Sequence, residues 1–203
     1  MNGGPGLCSE ALRVNARYVE EVVIGWGLCP WAAQAWRDGA VARRVLVDQA
    51  PEQSPDIDAV LAFVDELAPN RATSIGLAIF PRATATEAAW GTFAERVRRA
   101  DRARRAPDAA PPFLLAAFHP GSGQTAAAAG NPGALVSFLR RTPDPTLQLV
   151  RASLLDGLAR EGRDLSGEIA RANFAAVSAR TPAALDAVVR DIRRDRDASY
   201  ARL

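Results

Sequence analysis

The segment Thr73-Ser-Ile-Gly-Leu-Ala-Ile-Phe80 decides the fold. Its apolar run has the length of a strand and is followed at once by Pro81, which predicts a buried strand. Two further segments of strand character, Val41–Val47 and Phe113–Phe118, lie before and after it in the chain. The central part of the chain therefore predicts three short strands.

Helical periodicity fills both intervals between these strands. Apolar residues in Ile57–Leu67 recur at helical spacing, and a further helix is predicted from a cap at Thr84 or Thr86 to about Arg105. Alternation of strand and helix favours right-handed crossovers. The sequence predicts an α/β protein with a small, mostly parallel sheet of three strands or slightly more, flanked by helices.

The flanking segments predict further helices and no domain boundary. We expect a flexible N-terminus over residues 1–8, a single α/β domain over 9–203, and a mobile Gly/Ala-rich loop over 121–133, with one or two helical turns at Leu135–Leu139. The helices predicted outside the central part, the last three of which form a helical C-terminal part, are Glu10–Ile24, Pro145 to about Arg160, Leu165–Val177 and Pro182–Arg196.

The charge balance argues against binding to polyanions. The chain has 25 basic and 23 acidic residues, so no net field drives binding to nucleic acid or to an acidic membrane surface. Local basic stretches at Arg96–Arg105 and Arg190–Arg196 alternate with Asp, Glu or Ala at helical spacing, which is typical of solvated helix faces. We expect a small-molecule ligand, with no nucleic acid and no membrane as partner; the sequence does not predict the oligomeric state.

All 25 basic residues are arginines. Without lysine, the chain cannot anchor pyridoxal phosphate as a Schiff base or supply the lysine of a phosphate-binding loop. Both cofactor classes are excluded on this ground.

Two cysteines, Cys8 and Cys29, are too few for a disulfide framework and lack the spacing of a zinc site. The first residues resemble no signal peptide, and the longest apolar runs are of strand length, far below the roughly 20 residues that span a bilayer. We therefore expect a cytoplasmic protein.

His119 is the only histidine of the chain, and it follows the third predicted strand directly. In an open parallel sheet, ligands bind outside the carboxyl ends of the strands, so this position suits a proton-transfer residue. Asp48 and Pro81 follow the other two strands and are expected at the same edge. The alternative is a histidine that ends the strand by bonding to loop carbonyls.

Cys29 lies in Gly27-Leu-Cys-Pro-Trp31, on a turn after the first predicted helix. Such a thiol can be accessible, although only the thiolate reacts and a helix C-terminus raises the pKa of a thiol. Two alternatives stay open: a buried cysteine packed among tryptophans 26, 31 and 36, or thiolate ligation to haem iron, for which Cys-Pro is a known mode.

Charged residues near these positions are candidates for binding a ligand. Glu20 lies shortly before Cys29, and Arg141 and Arg151 flank the turn Thr142-Pro-Asp-Pro145. Together with the N-terminus of the helix predicted after Pro145, the guanidinium groups would suit a carboxylate or phosphate. The alternative is ordinary helix capping.

Three short motifs carry a resemblance to a known family. Tyr18-Val-Glu-Glu-Val-Val-Ile-Gly-Trp-Gly-Leu-Cys-Pro-Trp-Ala32, Ala117-Phe-His-Pro120 and, more loosely, Arg140-Arg-Thr-Pro-Asp-Pro145 resemble the motifs of a bacterial family known as domain of unknown function 1415. A later pair, Ile169 and Asn173, also resembles it. The resemblance covers about Asn15 to Val177 and carries no established activity.

The resemblance implies that Cys29, His119 and Arg141 belong to one pocket. It also marks departures, since Phe80 and Gln148 stand where the family has histidines, and Arg140 and Asp144 where it has asparagine and tyrosine. Gln148 joins Glu20, Arg141 and Arg151 as a candidate substrate-binding residue.

Three functions remain open from the sequence. The first is an enzyme acting on a small anionic molecule, with His119 as acid or base and Cys29 as nucleophile or ligand contact. The second is an interaction module that exposes the tryptophans near Cys29. The third is a haem protein that uses Cys29, His119 or both.

Overall fold

The computed structural model describes residues 5–29, 31–47, 55–123, 139–154 and 165–203. The predicted α/β class is confirmed, because the protein has a four-stranded sheet whose strands are preceded, separated and followed by helices along the chain. The helices of the described residues are α1 (Pro5–Arg17), which continues as a π-helix over Tyr18–Ile24, α2 (Ala32–Arg37), α3 (Ile57–Leu67), α4 (Glu87–Ala103), α5 (Leu165–Arg180) and α6 (Pro182–Tyr200). The strands are β1 (Val41–Val45), β2 (Ile75–Ile79), β3 (Phe113–Phe118) and β4 (Thr146–Arg151).

The order of the strands corrects the prediction of a mostly parallel sheet. The order is β1-β2-β4-β3, in which only the pair β1–β2 is parallel, and β4 runs antiparallel to both of its neighbours. Because β4 reverses between them, β1, β2 and β3 nevertheless point the same way. Their carboxyl ends lie at one edge of the sheet, as expected, although Asp48 lies outside the described residues.

The helix predicted from Pro145 to about Arg160 is wrong over its first part, because Thr146–Arg151 forms β4, and residues 155–160 lie outside the described residues. Along this strand Leu147 and Leu149 point to one face and are almost fully buried. Hydrogen bonds to strands on both sides and the burial of these two leucines outweigh the helix signal of Pro145. No helix N-terminus is therefore present at Pro145 to bind an anion.

The core of the sheet lies between α3, α4 and one face of the strands. α3 begins at Asp56, whose carboxylate accepts a hydrogen bond from the amide of Asp58 at 2.8 Å, and α4 begins at Thr86, whose hydroxyl accepts one from Ala89. Phe80 is 1% exposed in this core, and its ring meets that of Trp90 edge to face at 5.0 Å. Phe80, which the resemblance places at a histidine position, is thus a core aromatic residue.

The first helix begins earlier than predicted. α1 starts at Pro5 rather than Glu10, so residues 5–8 of the segment expected to be a flexible N-terminus are helical. Proline is favoured in the first turn of a helix, where its missing N–H costs nothing. The predicted end at Ile24 is confirmed as the end of the π-helix.

The chain forms two compact units. The sheet unit comprises 35–118 and 145–163, and the helical unit comprises 1–34, 119–144 and 164–203. The chain leaves the sheet unit between Phe118 and His119 and returns between Asp144 and Pro145. The prediction of one domain over 9–203 stays a prediction. Most of the Gly/Ala-rich loop at 121–133 and residues 135–138 of the predicted turns lie outside the described residues.

Candidate functional site

The turn that carries Cys29 is built by close backbone approach. Gly25 follows the last residue of the π-helix. A Cβ at this position would lie 2.6 Å from the carbonyl oxygen of Glu21, so any other residue would force the backbone to move. Gly27 follows with φ of +63°, a conformation that favours glycine. π-Helical turns often occur at functional sites. The two glycines let the chain reverse directly before Cys29.

The thiol of Cys29 is half-buried and lies at the start of α2. Burial raises the pKa of this thiol, and hydrogen bonds from the backbone amides of Trp31 and Ala32 offset only part of the rise. The raised pKa opposes formation of the Cys29 thiolate. The nucleophilic role predicted for it would need a thiolate, whereas a thiol that contacts a ligand would not.

The imidazole of His119 is held by its own loop. Its Nδ1 accepts a hydrogen bond from the amide of Gly121 at 3.0 Å, and its carbonyl accepts one from the amide of Ser122. An acceptor at Nδ1 assigns the proton of the neutral ring to Nε2. A Cβ on Gly121 would lie 3.1 Å from Nδ1, so the absence of a side chain there allows the contact.

The segment 139–141 connects His119 to the N-terminal helices. The amide of His119 donates to the carbonyl of Arg140 at 3.0 Å, and the hydroxyl of Tyr18 donates to the carbonyl of Leu139 at 3.1 Å. Burial raises the pKa of Tyr18, against an opposing effect of the positive charge of Arg141. The segments of the first and second motifs are thereby connected through Leu139 and Arg140, at the start of the third.

Arg141 is not available as a simple anion clamp, because it forms a buried ion pair. Its side chain is 10% exposed, and its guanidinium donates to the carboxylate of Asp186 at 2.7 Å. Asp186 also pairs with Arg190, at 2.5 Å. No short sequence pattern relates Arg141 to a carboxylate 45 residues later.

Asp144 is the centre of a second buried polar group. Its carboxylate accepts hydrogen bonds from Nε of Arg196 at 2.8 Å and from the hydroxyl of Tyr200 at 2.7 Å, and its carbonyl accepts one from Thr142. Burial raises the pKa of the Asp144 carboxyl in spite of these donors. The sequence indicated only a turn here.

α6 does not present the uniformly solvated basic face that was predicted. Arg190 and Arg194 are exposed, with 61% and 78% of their side chains accessible. Arg193 and Arg196 are half-buried, and burial together with the charge of Arg141 lowers the pKa of Arg193. One side of the helix therefore carries buried guanidinium groups.

Other predicted binding residues lie elsewhere. Arg151 is at the end of β4 opposite to the carboxyl end of β3, where it donates to the carbonyls of Thr73 and Asn70 and covers the ring of Phe113. Gln148 lies half-buried in the middle of β4 in the sheet unit, and Glu20 is exposed on the π-helix. The capping alternative, which needed a helix after Pro145, does not apply because Thr146–Arg151 is a strand.

The tryptophans near Cys29 do not share one environment. Trp26 is 8% exposed and lies under the guanidinium of Arg180, and Trp36 is covered by Arg43. Trp31 is 38% exposed. Two of the three side chains are therefore covered, which weakens the hypothesis of a tryptophan patch for a partner.

Within the described residues, no group of three or more His, Cys, Asp or Glu side chains is arranged to hold a metal ion. The described helices include none that is long and apolar enough to cross a membrane. Cys8 and Cys29 are both outside any disulfide. Whether Cys29 and His119 share a pocket stays a prediction.

These features define a class of α/β protein that has a sheet unit and a helical unit rich in arginine. The one histidine of the chain follows β3 directly. The chain belongs to the family described as protein of unknown function (DUF1415), whose model matches residues 10–186. The family membership predicted from the sequence is thereby confirmed. No curated protein and no solved structure matches the chain.

Proposed function

We propose that the protein is an enzyme that acts on a small anionic molecule, with His119 donating a hydrogen bond from Nε2 to a substrate oxygen. The bond from the Gly121 amide to Nδ1 carries this proposal, because it assigns the neutral ring to the tautomer that is a donor at Nε2. A fixed donor aimed at an oxygen on which negative charge develops stabilises a transition state more than a ground state.

The position of His119 supports the same role. It is the first residue after β3, and ligands of open α/β sheets bind outside the carboxyl ends of the strands. Its loop also bonds to the segment that carries Arg141 and Asp144. One backbone amide thus holds the ring, and a separate backbone hydrogen bond holds the main chain of His119.

Cys29 acts in this proposal as a thiol that contacts the ligand. The raised pKa of its thiol opposes the thiolate that nucleophilic attack needs. The two cysteines outside disulfides suit a reducing compartment, so we place the enzyme in the cytoplasm.

The test separates the hydrogen bond that Nδ1 of His119 accepts from Gly121 from the hydrogen bond that Nε2 would donate to the substrate. In His119→Asn, the amide oxygen takes the place of Nδ1 as acceptor for Gly121, but the Nε2 donor is lost; in His119→Ala both are lost. The proteins are incubated with a panel of phosphate monoesters and carboxylates, and substrate loss is followed by mass spectrometry.

We expect the wild type to convert one compound class, and both variants to lose about 100-fold or more of that rate. His119→Asn keeps the melting temperature of the wild type, whereas His119→Ala has a lower one. Full activity in His119→Asn, or no conversion of any anionic compound by the wild type, would overturn the proposal.

A further inference from the structure

We propose that the buried side of α6 around Arg193 binds an oxyanion, a phosphate or carboxylate group, in the helical unit. This inference rests on the proposed function only in that the bound oxyanion is taken to be part of the substrate. It assigns the anion to Arg193, a residue that the sequence placed on a solvated face.

Arg193 differs from the other arginines of its helix segment. Arg190 pairs with Asp186, Arg194 pairs with Asp191, and Arg196 pairs with Asp144 and Asp197. The half-buried guanidinium of Arg193 makes no hydrogen bond or ion pair with any residue that the structure describes. A guanidinium has five N–H donors, and a partly desolvated one normally has acceptors for them.

The charges around Arg193 do not balance. Arg141 and Arg196 act on it as like charges, and Asp186 and Asp197 act as opposite charges. Asp186 already pairs with Arg141 and Arg190, and Asp197 with Arg196, at an exposed position. Arg193 and Arg196 are half-buried, and the carboxylates of Asp144 and Asp186 are each already paired with another arginine. Among the described residues of α6, Arg193 is therefore a partly covered cation without an ion-pair partner.

The position of this charge connects it to His119. Asp186 and Arg193 are seven residues apart on α6, hence two turns apart on one side of the helix. Asp186 binds Arg141, and the residue before Arg141 accepts the hydrogen bond of the His119 amide. An oxyanion at Arg193 would lie on the side of α6 that holds the third motif.

A planar guanidinium binds two oxygens of a phosphate or carboxylate at once, which lysine cannot do. Binding would supply acceptors to Arg193 and reduce its repulsion with Arg141. Both effects are specific to an oxyanion and are not produced by chloride at equal ionic strength.

The experiment measures thermal unfolding of the full chain with sodium phosphate, sodium acetate or sodium chloride at matched ionic strength. The variants are Arg193→Gln, Arg193→Lys, and Arg194→Gln as a matched control of equal charge change on the exposed side of α6. At 100 times the dissociation constant, we expect the favoured oxyanion to raise the melting temperature by about 5 to 10 °C.

In Arg193→Gln we expect the affinity for the oxyanion to fall about 10- to 100-fold, in Arg193→Lys to fall less, and in Arg194→Gln to stay at the wild-type value. A response to phosphate only identifies a phosphate group, and a response to acetate as well identifies a carboxylate site; either supports the inference if it depends on Arg193. A response equal in Arg193→Gln and wild type, or none to either anion, would overturn it.

The result is separable from the test of His119. Loss of turnover in His119→Asn with Arg193-independent anion binding would leave the proposed function standing and refute only the assignment of the oxyanion. Arg193-dependent binding with unchanged turnover in His119→Asn would do the reverse.

Discussion

Replacement of Asp186 by asparagine tests the buried charge network of the helical unit most sharply. The change keeps the shape of the side chain but removes the negative charge that Arg141 and Arg190 share. Arg141 and Asp186 are only 10% and 16% exposed, so water cannot replace the lost partner. Removing one member of a buried pair costs about 3 kcal/mol at the lower end of the usual range. For a chain of this size, that lowers the melting temperature by about 6 to 12 °C.

The matched control is Asp197→Asn on the same helix. Asp197 pairs with Arg196 but is 68% exposed, so its removal should cost below about 1 kcal/mol. Both variants are measured by thermal and urea unfolding in chloride buffer. Adding Arg193→Gln to Asp186→Asn should recover part of the loss, because it removes one of the cations left in excess. Equal melting temperatures for the two single variants would refute the buried network.

Three further predictions concern individual residues. Gly121→Ala places a Cβ 3.1 Å from Nδ1 of His119, so we expect loss of the Gly121–His119 hydrogen bond and of turnover; retention of both in NMR spectra and rate assays would contradict the geometry. Burial raises the pKa of the Cys29 thiol, so its alkylation by iodoacetamide in a Cys8→Ala background should be slow at pH 7. The rate should still be rising when the pH exceeds about 8.5, the ordinary thiol pKa. A rate that stops rising by pH 7 would show a thiolate instead. The carboxyl of Asp195 has its pKa lowered to about 2 by Arg13 and Arg17, so its stabilisation is present above its unfolded pKa and is lost as the pH falls through the folded value. Asp195→Asn should therefore cost about 1 kcal/mol at pH 7 and progressively less as the pH falls below about 4 towards the folded value, and a pH-independent difference would contradict this assignment.

The sequence predicted correctly those helices and strands whose first and last residues are determined by their neighbours in the chain. α3 runs over Ile57–Leu67 as predicted, because Asp56 caps it and its apolar residues repeat at helical spacing. β3 likewise has its predicted bounds, Phe113–Phe118. The position of His119 at the end of a strand followed from the same kind of signal.

The missed features depend on residues far apart in the chain. β4 forms because Thr146–Arg151 finds hydrogen-bond partners in β2, some 70 residues earlier, and in β3. That partnership also reverses one strand and changes the sheet from mostly parallel to mixed. A leucine pair spaced by two is compatible with either structure until the partner strands are known.

The candidate site divides in the same way. The hydrogen bond between His119 and Gly121 is local, whereas the partner of Arg141 lies 45 residues away and that of Asp144 lies 52 residues away. Arg193 was predicted to be solvated because its neighbours in sequence are charged. Its partial burial depends on packing against residues far from it in the chain, which no pattern within α6 indicates.

The proposed role of His119 is tested most directly by long-range ¹H–¹⁵N NMR of the imidazole, which needs no substrate and no assignment because the chain has one histidine. At a pH where the ring is neutral, the account predicts a protonated Nε2 and an unprotonated Nδ1 that accepts from the Gly121 amide. The Gly121→Ala variant should lose that preference. A wild-type ring protonated at Nδ1, or one that exchanges evenly between the two tautomers, would contradict the assignment of Nε2 as the donor to substrate.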